Sequence, residues 1–177
     1  MKTGMRIQKV KRYNYCGKRQ FMISSQIDGM LEPIDCGELM RIIRKLTEKI
    51  EPRKLDYIVG LDSGGIIPSL AASMITGLPL IVAYKANLDV ENKIHFLEPY
   101  SANPSIYIYN LPKGSNVLLA DDEIRTGQTV INCINSIVET GSFVEAVIVP
   151  VESTKFNARK KLEDMGYELY SYAKQEF

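Results

Sequence analysis

Two adjacent carboxylates close an apolar run in Val117-Leu118-Leu119-Ala120-Asp121-Asp122. A small, hydroxyl-bearing stretch, Arg125-Thr126-Gly127-Gln128-Thr129, follows after Glu123 and Ile124. Neighbouring carboxylates repel, so a partner has to offset that cost. Ionised carboxylates accept hydrogen bonds and donate none, which suits the hydroxyls of a sugar. Adjacent residues on an extended chain point opposite ways, so Asp121 and Asp122 need not make identical contacts. The stretch from Thr126 to Thr129 opens a helix, where free backbone N–H groups and the helix dipole attract anions. Gly127 lets a ligand approach the backbone, and Thr126 and Thr129 add hydroxyl donors. The Gly-Lys-Ser/Thr ending of a triphosphate loop is absent. A monophosphate cradle beside a pair of hydroxyl acceptors describes a ribose 5-phosphate. A metal site or a solvated turn is the alternative for the carboxylates, and a plain capped helix start is the alternative for the loop.

A second loop, Leu61-Asp62-Ser63-Gly64-Gly65, also joins an apolar run to a helical pattern. Two glycines and a serine there offer exposed N–H groups to a second anion, although a glycine-rich turn of this kind is common wherever space is tight. Taken together, the loops suit a ligand with phosphate at one end, ribose between and another anion at the other end. A polyanion of that type normally brings Mg²⁺.

The elements that must hold these loops can be read from periodicity. The first thirty residues read as one or two short polar strands, with a turn near Tyr13-Asn14-Tyr15-Cys16-Gly17. Asp35 reads as an N-cap with Glu38 closing a capping box. Leu39, Ile42, Ile43, Leu46 and Ile50 then recur at helical spacing until Pro52. Tyr57–Leu61 predicts a buried strand, Ile66 to Thr76 a helix stopped by Gly77, and Leu80–Tyr84 another strand. No clear period survives from Lys85 to about Asn103, and a long irregular segment inside a compact domain is usually a functional loop or lid. Ile106 and Ile108 alternate with Tyr107 and Tyr109 as an outlying strand, and Pro112-Lys113-Gly114 turns the chain. After strand Val117–Ala120 comes a helix from Gly127 to Thr140 with Val130, Ile134, Ile137 and Val138 on one face. Strand Val144–Val151, a polar helix from about Asn157 to Met165 and strand Tyr167–Tyr172 finish the pattern. Strands alternating with helices imply an α/β fold with a mainly parallel sheet flanked by helices. Ligands of such sheets bind beyond the carboxyl ends of the strands, where both loops fall.

Composition sets outer limits. The 177 residues suit one domain, with 45% hydrophobic and 24% charged residues, ordinary values for a globular protein. A net charge of +1 argues against a global nucleic-acid or membrane partner. Seven basic residues do precede the first acid, Asp28; this arm reads as a solvated strand or hairpin, with an anion or nucleic-acid role as the alternative. Cys16, Cys36 and Cys133 match no metal spacing and read as reduced thiols. With neither a signal-type h-region nor a membrane-length apolar run, the expected location is the cytoplasm.

The stretch VLLADDEIRTGQT resembles the phosphoribosyl pyrophosphate (PRPP) motif of the type I phosphoribosyltransferases. YIVGLDSGGIIPSLAASMITGLPLIVAYK is similar to the pyrophosphate-loop segment of that family. The order of elements resembles the adenine and xanthine branch over roughly four-fifths of the chain. The resemblance implies transfer of a 5-phosphoribosyl group from PRPP to a nucleobase, with release of pyrophosphate and assistance from Mg²⁺ held through PRPP and water. It implies that Asp121 and Asp122 hold the ribose hydroxyls, and that Arg125, Thr126, Gly127, Gln128 and Thr129 surround the 5-phosphate. Asp62, Ser63, Gly64, Gly65 and Lys85 would meet the pyrophosphate, with a strained or cis peptide at Asp62–Ser63. The implied domain is single, 1–177, with a hood over 1–34 and a mobile lid over 86–103. Relatives commonly dimerise, so a homodimer is expected.

Several positions depart from the family pattern. Glu123 replaces an apolar residue. Arg125 stands where hypoxanthine-guanine enzymes carry an aspartate able to receive a base proton; it either folds onto a partner such as Glu123 or donates to the base or a phosphate. Tyr84 replaces an arginine, and Ser153-Thr154-Lys155-Phe156 replaces a Lys-small-Phe-Gln pattern near the base. The base pocket is accordingly assigned to Arg125, Ser153, Lys155 and Phe156, with Phe156 able to stack on a planar ring. The single histidine, His95, falls in the lid. The expected activity is purine transfer of the adenine or xanthine type. The alternatives are a non-catalytic PRPP-binding regulator and an orotate-type enzyme.

Overall fold

The computed structural model describes residues 5–13, 19–99 and 101–177. An antiparallel hairpin, β1 (Ile7–Tyr13) and β2 (Arg19–Ser25), comes first. The turn expected over 14–17 lies outside the described residues. Helix α1 (Cys36–Thr47) starts as expected, with the Glu38 N–H donating to Asp35 Oδ1 at 3.0 Å. The reciprocal half of the capping box is missing, because the Glu38 carboxylate accepts two hydrogen bonds from Arg41 instead. A charged bidentate partner one turn ahead outcompetes a backbone N–H.

Strands β3 (Tyr57–Leu61), β4 (Leu80–Ala83), β7 (Asn116–Ala120), β9 (Phe143–Ser153) and β10 (Glu168–Gln175) form one parallel sheet in the order β10-β9-β7-β3-β4. A two-residue strand, β8 (Glu123–Ile124), extends the pairing on β9 beyond the end of β7. Helices cover both faces, which is why β3, β7 and β9 are nearly continuous apolar runs rather than alternating ones. On one face α1 and α2 (Ile66–Thr76) pack through Ile42, Ile43, Leu46 and Ala72 against Ile58, Leu118 and Ile148. On the other, α3 (Gln128–Glu139) and α4 (Ala158–Asp164) pack through Ile134, Ile137 and Leu162 against Val59, Leu119 and Val147. The buried face of α3 uses Cys133, while Val138 is 43% exposed, one residue off the expected stripe. Gly77, at φ 74°, ends α2 in the left-handed conformation that a side chain would resist.

The segment expected to be irregular holds a strand. β5 (Lys93–Leu97) pairs antiparallel with β6 (Ser105–Tyr109), and buried Phe96, Ile106 and Ile108 join the α3 side of the core. Only Ile94 and Phe96 turn inward on β5, too short an alternation to register as a period. His95 lies on the outward face, stacked on Tyr107 with ring centroids 4.9 Å apart and its Nε2 3.2 Å from Ser105 Oγ. Among the described residues no helix is long and apolar enough to cross a membrane.

Candidate active site

The two loops belong to β3 and β7, which are direct neighbours in the sheet, so both open at the same edge. Space between them is minimal. A Cβ on Gly64 would come inside 3.0 Å of the Asp122 carboxyl carbon and both its oxygens. A Cβ on Gly65 would stand 2.7 Å from the Leu61 carbonyl and 2.8 Å from the Ala120 carbonyl. Gly64 therefore lets the loop after β3 lie directly against the acidic pair after β7, and Gly65 lets the loop close on the ends of both strands. The Asp62–Ser63 peptide is cis.

Asp121 and Asp122 sit at the wall of a cavity of about 810 Å³. The Asp121 N–H is tied to the Ile148 carbonyl and the Asp122 carbonyl receives the Val151 N–H, so β9 fixes the backbone of both. Asp121 Oδ1 accepts the Asp122 N–H at 2.9 Å. Burial raises both carboxyls above the usual carboxylate range, and the Asp122 charge adds to the rise at Asp121. A pair held in this way favours ligand groups that restore hydrogen bonds to both. Glu123, next along, is pushed up to about 7 by burial and by the Asp122 charge, against the attraction of Arg125.

At the start of α3, Gly127 takes the left-handed conformation, φ 76°, and a Cβ there would be 3.1 Å from the Ala158 side chain. The turn of Thr126, Gly127, Gln128 and Thr129 thus rests on the first residue of α4. Lys161 of α4 donates to the Thr126 carbonyl at 2.9 Å and the Gln128 N–H donates to Thr126 Oγ1 at 3.4 Å, and all four residues of the turn line the cavity. In turn, α4 is held by Arg159, which makes paired hydrogen bonds of 3.0 and 2.6 Å to the buried Glu152 carboxylate and another of 2.7 Å to the Leu169 carbonyl. Arg159 and Ser171 hold Glu152 below the usual range even though burial opposes its charge.

Arg125 takes the first of its two expected courses. Its Nε lies 3.2 Å from Glu123 Oε1, and its Nη1 donates to the Phe21 carbonyl of β2 at 2.8 Å. It still borders the cavity, together with Lys155 and Phe156. Ser153 does not: it is buried, and among the described residues its Oγ has no hydrogen-bond partner. Gly65 likewise does not line the cavity, whereas Asp62, Ser63, Gly64 and Lys85 do. The Lys85 N–H donates to Asp62 Oδ2 at 3.3 Å, and its ammonium is 2.8 Å from Glu98 Oε2.

Several lining residues gave no signal in the sequence. The hairpin β1–β2 supplies Lys9, Phe21, Met22 and Ile23, and the chain end supplies Phe177. Glu98 also lines the cavity, from the turn after β5. Among the described residues no cluster of three His, Cys, Asp or Glu side chains is arranged to hold a metal ion directly.

No family model matches the chain. Individual relatives do. A hypoxanthine/guanine phosphoribosyltransferase of Methanobrevibacter ruminantium is 35% identical over 151 residues, covering 84% of this chain and 78% of that protein. A xanthine phosphoribosyltransferase of Streptococcus thermophilus is 33% identical over 147 residues, covering 78% and 77%. Among solved structures, an adenine phosphoribosyltransferase of Rhodothermus marinus superposes with a TM-score of 0.75 at 20% identity over 96% of this chain and 94% of that one. One from Giardia lamblia, complexed with 9-deazaadenine, gives 0.74 at 19% identity over 96% and 94%. The structural likeness concerns the fold, while the sequence likeness carries the lineage: the chain belongs to the type I phosphoribosyltransferase family and is a transferase of that kind.

Proposed function

We propose that the protein transfers the 5-phosphoribosyl group of PRPP to a 6-oxopurine, releasing pyrophosphate. The observation that carries the reading is the contact between Gly64 and Asp122, which joins an anion-binding loop to a pair of hydroxyl acceptors within one cavity. Asp121 and Asp122 receive the ribose hydroxyls, the N–H groups of the turn from Thr126 to Thr129 receive the 5-phosphate, and the loop Asp62 to Gly64 with Lys85 receives the pyrophosphate. The base nitrogen forms its bond to C1 as the C1–oxygen bond to pyrophosphate breaks, and the nitrogen's proton passes to water or to the released pyrophosphate. Three acids on or beside the cavity wall, Asp62, Asp121 and Asp122, fit a cation that arrives on the ligand and meets the protein through water. Mg²⁺ brought there on the ligand would supply charge neutralisation for the pyrophosphate, with these acids holding it through water.

The choice of base extends the reading. The earlier expectation was adenine or xanthine; the relatives at 33% and 35% identity carry names of 6-oxopurine enzymes. Lys155, at the cavity beside the 41%-exposed ring of Phe156, donates hydrogen bonds and accepts none. That suits the 6-oxo acceptor of hypoxanthine, guanine or xanthine and opposes the 6-amino donor of adenine. We also propose that residues 1–177 work as one domain, with the hairpin as a hood and 86–103 as a lid that excludes water, and that the enzyme is a cytoplasmic homodimer. The exposed Leu70 and Met74, one turn apart on α2, support a second copy. The test is pyrophosphate release from PRPP with Mg²⁺ across adenine, guanine, hypoxanthine, xanthine, orotate and uracil. Turnover confined to adenine or to a pyrimidine overturns the base assignment, and PRPP binding with no turnover on any of them favours a regulator instead.

A further inference from the structure

Lys85 connects two parts of the site. Its backbone is tied to the Asp62 loop, but its side chain ends on the turn after β5. Three groups of that turn converge on it: Glu98 Oε2 at 2.8 Å from the ammonium, Ser101 Oγ at 3.4 Å, and Asn103, whose Nδ2 donates to the Lys85 carbonyl at 3.3 Å. Both charged side chains are roughly three-quarters shielded, with 24% and 29% of their surface exposed. Among the described residues Glu98 Oε2 nonetheless has no aligned hydrogen bond, so the contact with Lys85 is one of charge rather than direction. Glu98 also lines the cavity, which places a carboxylate where an anionic ligand has to come.

We infer that Glu98 is a positioning residue that holds the Lys85 ammonium at the cavity wall before PRPP arrives and gives it up to the pyrophosphate on binding. The inference rests on the PRPP reading of the site. In the free protein Glu98 acts as an internal anion and competes with pyrophosphate for one cation. When a phosphate oxygen takes the ammonium, Glu98 loses its partner and is repelled by the newcomer, so the turn that carries Glu98, Ser101 and Asn103 is released from Lys85. Departure of pyrophosphate restores the original pair, so Glu98 assists product release as well.

The experiment is calorimetric titration of PRPP and of pyrophosphate, each with Mg²⁺, into the wild type, Glu98→Gln, Lys85→Met and the double variant, with steady-state kinetics alongside. Glu98→Gln should bind both ligands about three- to tenfold more tightly, as expected for removal of a partly exposed ionic competitor. KM for PRPP should fall, and kcat should fall with it because pyrophosphate leaves more slowly. In the Lys85→Met background the gain from Glu98→Gln should shrink to the smaller part that relief of direct repulsion supplies. Equal or weaker binding by Glu98→Gln, or a gain of undiminished size without Lys85, overturns the inference. A wild type that binds neither PRPP nor pyrophosphate overturns the reading of the site itself, which is a separate outcome.

Discussion

Gly64→Ala tests the meeting of the two loops. The new Cβ would come inside 3.0 Å of the whole Asp122 carboxyl group, and ordinary contact begins near 3.4 Å, so the carboxylate has to retreat by about 1 Å. The neighbouring backbone offers little room to move, because even a Cβ on Gly65 would stand only 2.7–2.9 Å from Leu61 and the Ala120 carbonyl. A short side chain at a cavity wall can rotate away, so the fold should lose only about 1 kcal/mol, the low end for overpacking. For a chain of this size that is a fall in Tm of roughly 2–4 °C. A 1 Å displacement of a group that orients substrate costs about 100-fold, equivalent to ~2.7 kcal/mol in the transition state. The assay is pyrophosphate release as kcat/KM for PRPP, with Tm from calorimetry on the same sample. A variant within about threefold of wild-type kcat/KM, with the modest Tm change seen, would refute the claim that Gly64 and Asp122 share one ligand.

Three other outcomes follow from the same geometry. Asp121→Asn with Asp122→Asn should abolish PRPP binding by calorimetry while the circular dichroism spectrum stays that of the wild type; unchanged affinity sinks the hydroxyl assignment. Arg159→Met leaves the Glu152 carboxylate buried without its main partner, at a cost of about 3 kcal/mol, or roughly 6–12 °C in Tm; a loss below about 2 °C contradicts the role given to that pair in holding α4. Glu123 has its carboxyl raised from 4.5 to about 7 in the folded chain, so the folded state binds its proton more tightly than the unfolded state. Its relative stabilisation is full below pH 4.5 and is lost as pH rises through about 7. Glu123→Gln should therefore gain on the wild type in Tm across that window and run parallel above it, and a constant difference from pH 4 to 8 would count against the shift.

The parts legible in the sequence were those in which one local pattern decides the outcome. The α2 boundaries followed from Gly65 and Gly77, and the parallel order followed from apolar runs too continuous to face water. The acid pair and the turn after it could be read because each residue type suits only a narrow chemistry. Contacts between distant segments were another matter. Phe21 and Lys9 reach the cavity only because their hairpin folds over its rim, and nothing in their own stretch announces a site. β5 was hidden because only Ile94 and Phe96 turn inward. Ser153 ends up buried and off the cavity lining, which side-chain type alone cannot reveal. Arg125 had two plausible partners, and the choice depended on where Phe21 came to lie.

The pairing of β3 with β7 also governs when the site comes into being. The Asn116 N–H donates to Asp56 Oδ2 at 2.8 Å, and the Asp56 N–H donates to the Asn116 carbonyl at 2.8 Å, a double link between residues 60 apart in the chain. Closing a loop of that length is slow, because its entropy cost comes before any contact repays it. On the proposed function PRPP spans both loops, so a chain that has not paired β3 with β7 presents only half of its site. Ligand binding would then favour chains that have completed this one long-range pairing.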